Sequence, residues 1–278
     1  MIPKIIHQTW KTSSLPEQFH TYRETWIRHH PQWEYRFYDD AACRTVVQNA
    51  FPDLLTLYDR CLFPIQRADI FRYLVIAAEG GLYADLDMEC YKNMETLLDG
   101  KECVFGEEIV LSPREARFFN RRHPQQIANC IFAAKKNHPV FTKIMDEIAL
   151  RLDGRFPPDE VIETTGPGML SDVVHLYQRQ YDLHILPRIC WIPPTRPDYP
   201  NIFPFNLHMY AKHHFSGTWK DNNGKNGKAF VRPQGRGFPE RIKETLFDIR
   251  ELYYKLPPSP VWREDFFPGR KNPLRSRQ

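Results

Sequence analysis

The first fifty residues alternate short apolar runs with longer segments of helical spacing. "PKIIHQTW", residues 3–10, sets Ile5 and Ile6 together before polar residues take over, which predicts a strand. In "PEQFHTYRETWIRHHP", Phe19, Tyr22, Trp26 and Ile27 recur at helical intervals until Pro31 stops the pattern. "WEYRFYDD" alternates aromatic and polar side chains as a half-buried strand does. Its Asp39 or Asp40 is placed to cap the helix predicted over "AACRTVVQNA". Strand, helix, strand, helix in this order predicts parallel strands covered by helices.

The next segment, "PIQRADIFRYLVIAAEGG", is apolar almost all round and predicts a buried helix. Pro64 suits its first turn and Gly80 lies just past its end. "LYADLD" predicts a strand ending in acid. "QIANCIFAAKKNHPVFTKIMDEIALRL", residues 126–152, reads as a helix interrupted around Asn137–Pro139. "ETTGPGM" reads as a turn-rich loop, with Gly166-Pro167-Gly168 as a helix entry, and "DLHILP" as a short strand. "MYAKHHFSGTWK", residues 209–220, reads as a strand leading into a loop, and residues 239–256 as an amphipathic closing helix. The 24 prolines cluster after residue 156, which predicts long irregular connections there.

Composition narrows this picture. A chain of 278 residues, 42% of them hydrophobic, can bury the core of one large α/β domain, taken here as residues 1–255. Residues 256–278 read as a Pro-rich basic tail expected to be partly disordered, with a peripheral contact of Arg270, Lys271, Arg275 and Arg277 to an anionic surface as the alternative. No aromatic residues interleave with those charges, so nucleic acid is not expected as a partner. No h-region and no run of eighteen apolar residues occur, so a cytoplasmic enzyme without a transmembrane segment is expected. The six cysteines are scattered with no C-x-x-C pair, as in reduced structural thiols.

The chemistry concentrates in "EGGLYADLDMEC", residues 79–90. On a strand, Asp85 and Asp87 would point to one side, with Leu86 on the other. Two carboxylates at a strand end make a hard oxygen site suited to Mg2+ or Mn2+ and a ligand's phosphates. A solvated strand end is the plainer alternative. Upstream, Asp69 and Arg72 lie one helical turn apart. Burying an ion pair in an apolar helix adds little stability, so a pocket that meets a polar ligand accounts for the pair better. His7 and Gln8 read as structural, Glu107 and Glu108 as surface acids, and Trp191 as packing or an acceptor platform.

These stretches resemble a known family. "IPKIIHQTW" and "RADIFRYLVIAAEGGLYADLD" are similar to the DXD glycosyltransferases of the Och1-like mannosyltransferase type, and more distantly to clostridial glucosylating toxin domains. "IANCIFAAKKNHPVF", "TTGPGML" and "KHHFSGTWK" follow in the family's order. The resemblance implies a GT-A fold: a Rossmann-like, mostly parallel sheet flanked by helices. It also implies a nucleotide-diphosphate sugar donor, a divalent ion and retention of anomeric configuration. GDP-mannose and UDP-hexoses are the donors it suggests, with a carbohydrate or glycoconjugate acceptor, or a protein side chain as in the toxins.

The same resemblance assigns residues. Thr9 and Trp10 would line the nucleotide base, and Tyr83 would lie near the nucleoside. Asp69, Arg72 and Asn129 would face the transferred sugar. Asp85 would meet the ribose and metal-bound water, and Asp87 would ligate the metal. His213 would be a second ligand, with His214 as its alternative, and Trp219 would sit beside the diphosphate. Thr218 stands where the family has serine. Two other readings compete. A DxD phosphatase would want an N-terminal strand and a threonine two beyond the second acid, where this chain has Glu89. A non-catalytic carbohydrate-binding module would have no need of the acid–base pair.

Overall fold

The computed structural model describes residues 1–111, 113–118, 122–193 and 208–217. Trp219, Thr218, the closing helix, the basic tail and the boundary at residue 255 lie outside them. In chain order the elements are β1 (Ile5–Thr9), α1 (Glu17–His29), β2 (Glu34–Tyr38), α2 (Asp40–Ala50), α3 (Leu55–Asp59), α4 (Pro64–Glu79) and β3 (Gly81–Ala84). There follow β4 (Met88–Cys90), α5 (Glu95–Leu98), β5 (Cys103–Val110), α6 (Pro113–Phe118), β6 (Gln125–Ile127), β7 (Ile131–Ala134) and α7 (Val140–Leu150). The last described are α8 (Val161–Thr164), α9 (Pro167–Tyr177), β8 (His184–Leu186), α10 (Arg188–Trp191) and β9 (Ala211–His213).

A seven-stranded sheet runs β2-β1-β3-β7-β5-β6, with β8 also paired to β5. β1 is parallel to β2 and β3, and β7 is antiparallel to both β3 and β5. β8 is parallel to β5, while β6 is antiparallel to it. Five of the seven described strands therefore point one way, with β6 and β7 reversed. This is a mixed, mostly parallel α/β sheet flanked by helices, as the resemblance implied. The topology also decides where the chemistry lies. β1 and β3 leave the sheet, and β7 enters it, at the same edge, the edge at which ligands bind in open α/β sheets.

The sequence dictates the flanking elements. Asp39 caps α2 by accepting from the Ala42 N–H at 2.8 Å. α4 buries Ile70, Phe71, Tyr73, Leu74, Val75 and Ile76, as its all-round apolar pattern requires. The Gly-Gly break ends α4 and turns the chain into β3. Gly80 and Gly81 have φ of +70° and +106°, and a Cβ on Gly81 would lie 2.6 Å from the Ile5 carbonyl oxygen. Gly81→Ala is thus expected to destabilise the fold by about 2–3 kcal/mol, a Tm fall of roughly 4–12 °C in a thermal melt.

Residues 126–152 depart from the expected interrupted helix: the first half is strand. β7, "IFAA", is buried on both faces between β3 and β5, so it lacks the alternation that marks a half-exposed strand. Its alanines read as helix formers, and the tertiary setting overrides that preference. Trp191 is buried against Gly106, which makes it packing and removes the acceptor-platform reading. Glu107 is also buried rather than a surface acid, and its carboxylate accepts from the Arg188 N–H at 3.1 Å. All six cysteines are free and buried. Pro167 opens α9, as expected of a helix entry.

Candidate active site

The ladder between β3 and β7 ends with the Asp85 N–H donating to the Cys130 carbonyl at 2.8 Å. The chain then turns, and the Met88 N–H closes back on the Asp85 carbonyl at 3.0 Å. Asp85 and Asp87 consequently lie in a turn beyond β3. Convergence of their carboxylates comes from that turn, and strand alternation plays no part. β4 departs from the turn to pair with β9, setting Met88 opposite His213. α1 braces this ribbon, with Trp26 Nε1–H donating to the Met88 carbonyl at 2.8 Å and the Cys90 N–H donating to Thr25 Oγ1 at 2.9 Å.

The pairing carries His213 to the aspartates. One atom each from Asp85, Asp87 and His213 lies within 4.8 Å of the others. His213 Nε2 shares a hydrogen bond with Asp87 Oδ1 at 3.0 Å, and the Ser216 N–H donates to Asp87 Oδ2 at 2.9 Å. His214 turns away. It bonds Glu89 at 2.9 Å and stacks on Tyr22 with ring centroids 4.3 Å apart. Burial works to raise the Asp87 carboxyl, but the bond and charge of His213 and the Ser216 N–H hold it below the usual carboxylate range. Burial raises Asp85, and the neighbouring Asp87 charge adds to this despite Arg72. Two oxygen donors of like charge beside an imidazole match the donor set of a Mn2+ or Mg2+ ion.

Beneath Asp85 lies a buried network. Arg72 Nη1 reaches the Asp85 carboxylate at 3.2–3.3 Å and donates to the Asn129 carbonyl at 2.9 Å. Its Nη2 lies 3.2 Å from Asp69 Oδ1. Asn129 Nδ2 donates to Asp69 Oδ1 at 2.9 Å, and Thr165 Oγ1–H donates to Asp69 Oδ2 at 2.7 Å. Asp69 and Arg72 are buried, and both are engaged by these protein partners. In this conformation they fix Asp85 and Asn129 from below. The Tyr83 ring is fully buried and stacked on Phe132, and its hydroxyl donates to Asp85 Oδ1 at 2.8 Å, so it supports the acid.

At the end of β1, Thr9 Oγ1–H donates to the Tyr38 carbonyl at 2.9 Å, and the partly exposed Trp10 packs on Phe19. His7 is buried and bonded to Tyr38 and the Gly80 carbonyl, and burial lowers its pKa to about 4. Gln8 Nε2 donates to the Ala84 and Asp85 carbonyls at 3.3 and 3.2 Å, tying β1 to the aspartate turn. Gln8 is structural, as read from the sequence. Two contributors escaped that reading. Thr165 carried a signal, a hydroxyl beside the Gly-Pro-Gly turn, whereas the Ser216 N–H had none, since it depends on backbone.

A carboxylate pair beside an imidazole at the carboxyl edge of this sheet fits the glycosyltransferase resemblance. The chain belongs to the family described as "Glycosyltransferase sugar-binding region containing DXD motif", which matches residues 16–104. An uncharacterised glycosyltransferase of Acanthamoeba polyphaga mimivirus is 30% identical over 182 residues, 64% of this chain and 67% of that protein. "Inositol phosphoceramide mannosyltransferase 3" of Schizosaccharomyces pombe is 28% identical over 80% of this chain and 57% of its own length. "Initiation-specific alpha-1,6-mannosyltransferase" of Candida albicans is 26% identical over 79% of this chain and 72% of its own. The chain thus spans less than two thirds of the inositol phosphoceramide relative.

The family assignment supersedes the phosphatase alternative. The cytoplasmic location is withdrawn as well, because the first of these mannosyltransferases is named for a ceramide, which is a membrane lipid. Among the described residues, no helix is long and apolar enough to cross a membrane.

Proposed function

We propose that this chain is a metal-dependent, retaining mannosyltransferase using a nucleotide-diphosphate sugar, with GDP-mannose as the leading donor and UDP-hexoses as the comparison. The acceptor is a carbohydrate or a glycoconjugate, and a relative named for inositol phosphoceramide adds an inositol-bearing lipid to the candidates. The observation that carries this reading is the meeting of Asp85, Asp87 and His213 above the buried Asp69–Arg72–Asn129 network. Retention draws support from the α linkage in one relative's name, because a nucleotide-linked mannose is itself α-linked.

Asp87 and His213 are the residues that would hold a Mn2+ or Mg2+ ion, with Asp85 at its water shell. When bound, the ion supplies Lewis-acid stabilisation of the charge gathering on the diphosphate. The protein's own residues do the positioning. Arg72 fixes the Asp85 carboxylate and the Asn129 carbonyl, so both polar groups meet the donor in a set geometry. Tyr83 and Gln8 hold the acid and its backbone from either side. The Asp87 carboxyl stays ionised at neutral pH, ready to bind a cation.

A thermal-shift series with GDP, UDP and inorganic phosphate, each with and without Mn2+, tests this. GDP at a hundred times its Kd is expected to add about 2.7 kcal/mol, and only with Mn2+ present. Equal stabilisation without metal, or none by either nucleotide, contradicts the reading.

A further inference from the structure

Phe215 stands in a place that backbone preference does not account for, with much of the residue exposed. Its side chain is 45% exposed, and its φ is +50°, a region that bulky residues rarely enter. Three bonds to Asp87 hold the chain around it: His213 Nε2 to Oδ1 at 3.0 Å, the His214 N–H to the backbone carbonyl at 2.9 Å and the Ser216 N–H to Oδ2 at 2.9 Å. Between these three bonds the intervening residue lies in the left-handed conformation. Glycine or asparagine would adopt it with less strain, yet the position holds a phenylalanine. Backbone strain kept beside reacting groups points to a function for the residue that bears it.

The Phe215 ring lies against the His213 imidazole, with centroids 4.1 Å apart and planes at 49°. Asp85 faces the buried Arg72 network, whereas Asp87 faces the segment that carries this ring. The polar floor is thus on one side of the aspartate pair, and an open aromatic surface is on the other. An acceptor must bring its hydroxyl within about 3–3.5 Å of the transferred carbon, and it arrives from the open side. A six-membered polyol ring, whether pyranose or cyclitol, presents an apolar C–H face that an aromatic ring covers while its hydroxyls stay hydrated. A nucleobase has its own aromatic candidate in Trp10 at the end of β1.

We propose that Phe215 is an acceptor-binding residue, a platform on which the acceptor's polyol ring stacks beside the donor site. This rests on the glycosyltransferase reading above. The test separates hydrolysis of GDP-mannose by water, which needs donor and Mn2+ alone, from transfer to a ring acceptor. Methyl α-D-mannopyranoside and myo-inositol 1-phosphate serve as the two acceptor probes and distinguish a glycan from a lipid-headgroup source. Phe215→Ala and Phe215→Gly are expected to lower kcat/KM for the preferred probe at least tenfold, mainly through KM. Donor hydrolysis and the GDP–Mn2+ Kd should stay within about twofold. Phe215→Tyr should retain transfer, and the glycine variant, free of backbone strain, excludes a purely conformational effect.

Unchanged transfer in the alanine and glycine variants overturns the platform. So does a parallel fall in hydrolysis or GDP affinity, which would give the ring a role in supporting His213 or the donor. A wild type that hydrolyses donor but transfers to neither probe also overturns it. Failure of the wild type to hydrolyse any nucleotide sugar removes the donor reading instead, and this inference with it.

Discussion

Asp87→Asn is expected to reduce sugar transfer about a thousandfold and to abolish its dependence on Mn2+, as measured by donor turnover and metal titration. The magnitude follows from the several kcal/mol that a Lewis acid contributes where charge develops on a leaving group. The substitution is nearly isosteric, so the turn at residues 85–88 should survive and the loss should be chemical. The substituted amide would keep one carbonyl oxygen for the Ser216 N–H but would lack the anionic charge that a divalent ion requires. His213→Ala should weaken Mn2+ binding as well. His214→Ala should leave it nearly intact, because that ring is spent on Glu89 and Tyr22. Equal losses from the two histidine variants would mean that the β9 segment, rather than one imidazole, is what matters.

The second large effect is expected at Arg72. Its guanidinium is 4% exposed and touches Asp69, Asp85 and the Asn129 carbonyl. Arg72→Met removes one partner of a buried ion pair, a loss of about 3 kcal/mol or more. For a chain of this size that corresponds to a Tm fall of roughly 6–12 °C in a thermal melt. Transfer should drop further than stability does, at temperatures where the variant remains folded, since Asp85 and Asn129 lose their common anchor.

Asp69 makes the network sensitive to pH. Burial raises its carboxyl to about 6, against the pull of Arg72, Thr165 and Asn129 and with a further push from Asp85. Between about pH 4 and 6 the folded protein therefore holds a proton that the unfolded chain has released. Stability from this group is complete below pH 4 and is lost as pH rises through 6, by up to about 3 kcal/mol. Asp69→Asn should flatten that part of the stability–pH curve. A variant curve parallel to the wild type across this window would remove Asp69 as its source.

Much of the site could be read from sequence because its signals are local. The apolar run of α4, the Gly-Gly break and the two aspartates lie within 24 consecutive residues, and each has a short-range physical meaning. Gly80 and Gly81 are needed for positive φ, and Asp69 and Arg72 share a face by helical geometry. What escaped depends on distant parts of the chain. Asn129 read as a helix residue because its neighbours favour helix, yet the segment precedes a strand buried on both faces. The bond from Tyr83 to Asp85 could not be read from the sequence, because it depends on the burial of β3 in the assembled sheet. Thr165 reaches Asp69 across 96 positions, and no local pattern announces such a bond. Phe215 drew no reading from the sequence, because its backbone conformation and exposure have no local signature.

The central claim is that Asp87 and His213 together hold a divalent ion against a nucleotide diphosphate. Anomalous diffraction from crystals grown with Mn2+ and GDP, recorded near the manganese edge, tests it most directly. The account predicts one anomalous peak roughly 2.0–2.4 Å from a carboxylate oxygen of Asp87 and a ring nitrogen of His213, in contact with the diphosphate. Bound GDP with no peak there, or with Asp85 and Asp87 turned to solvent, would contradict it.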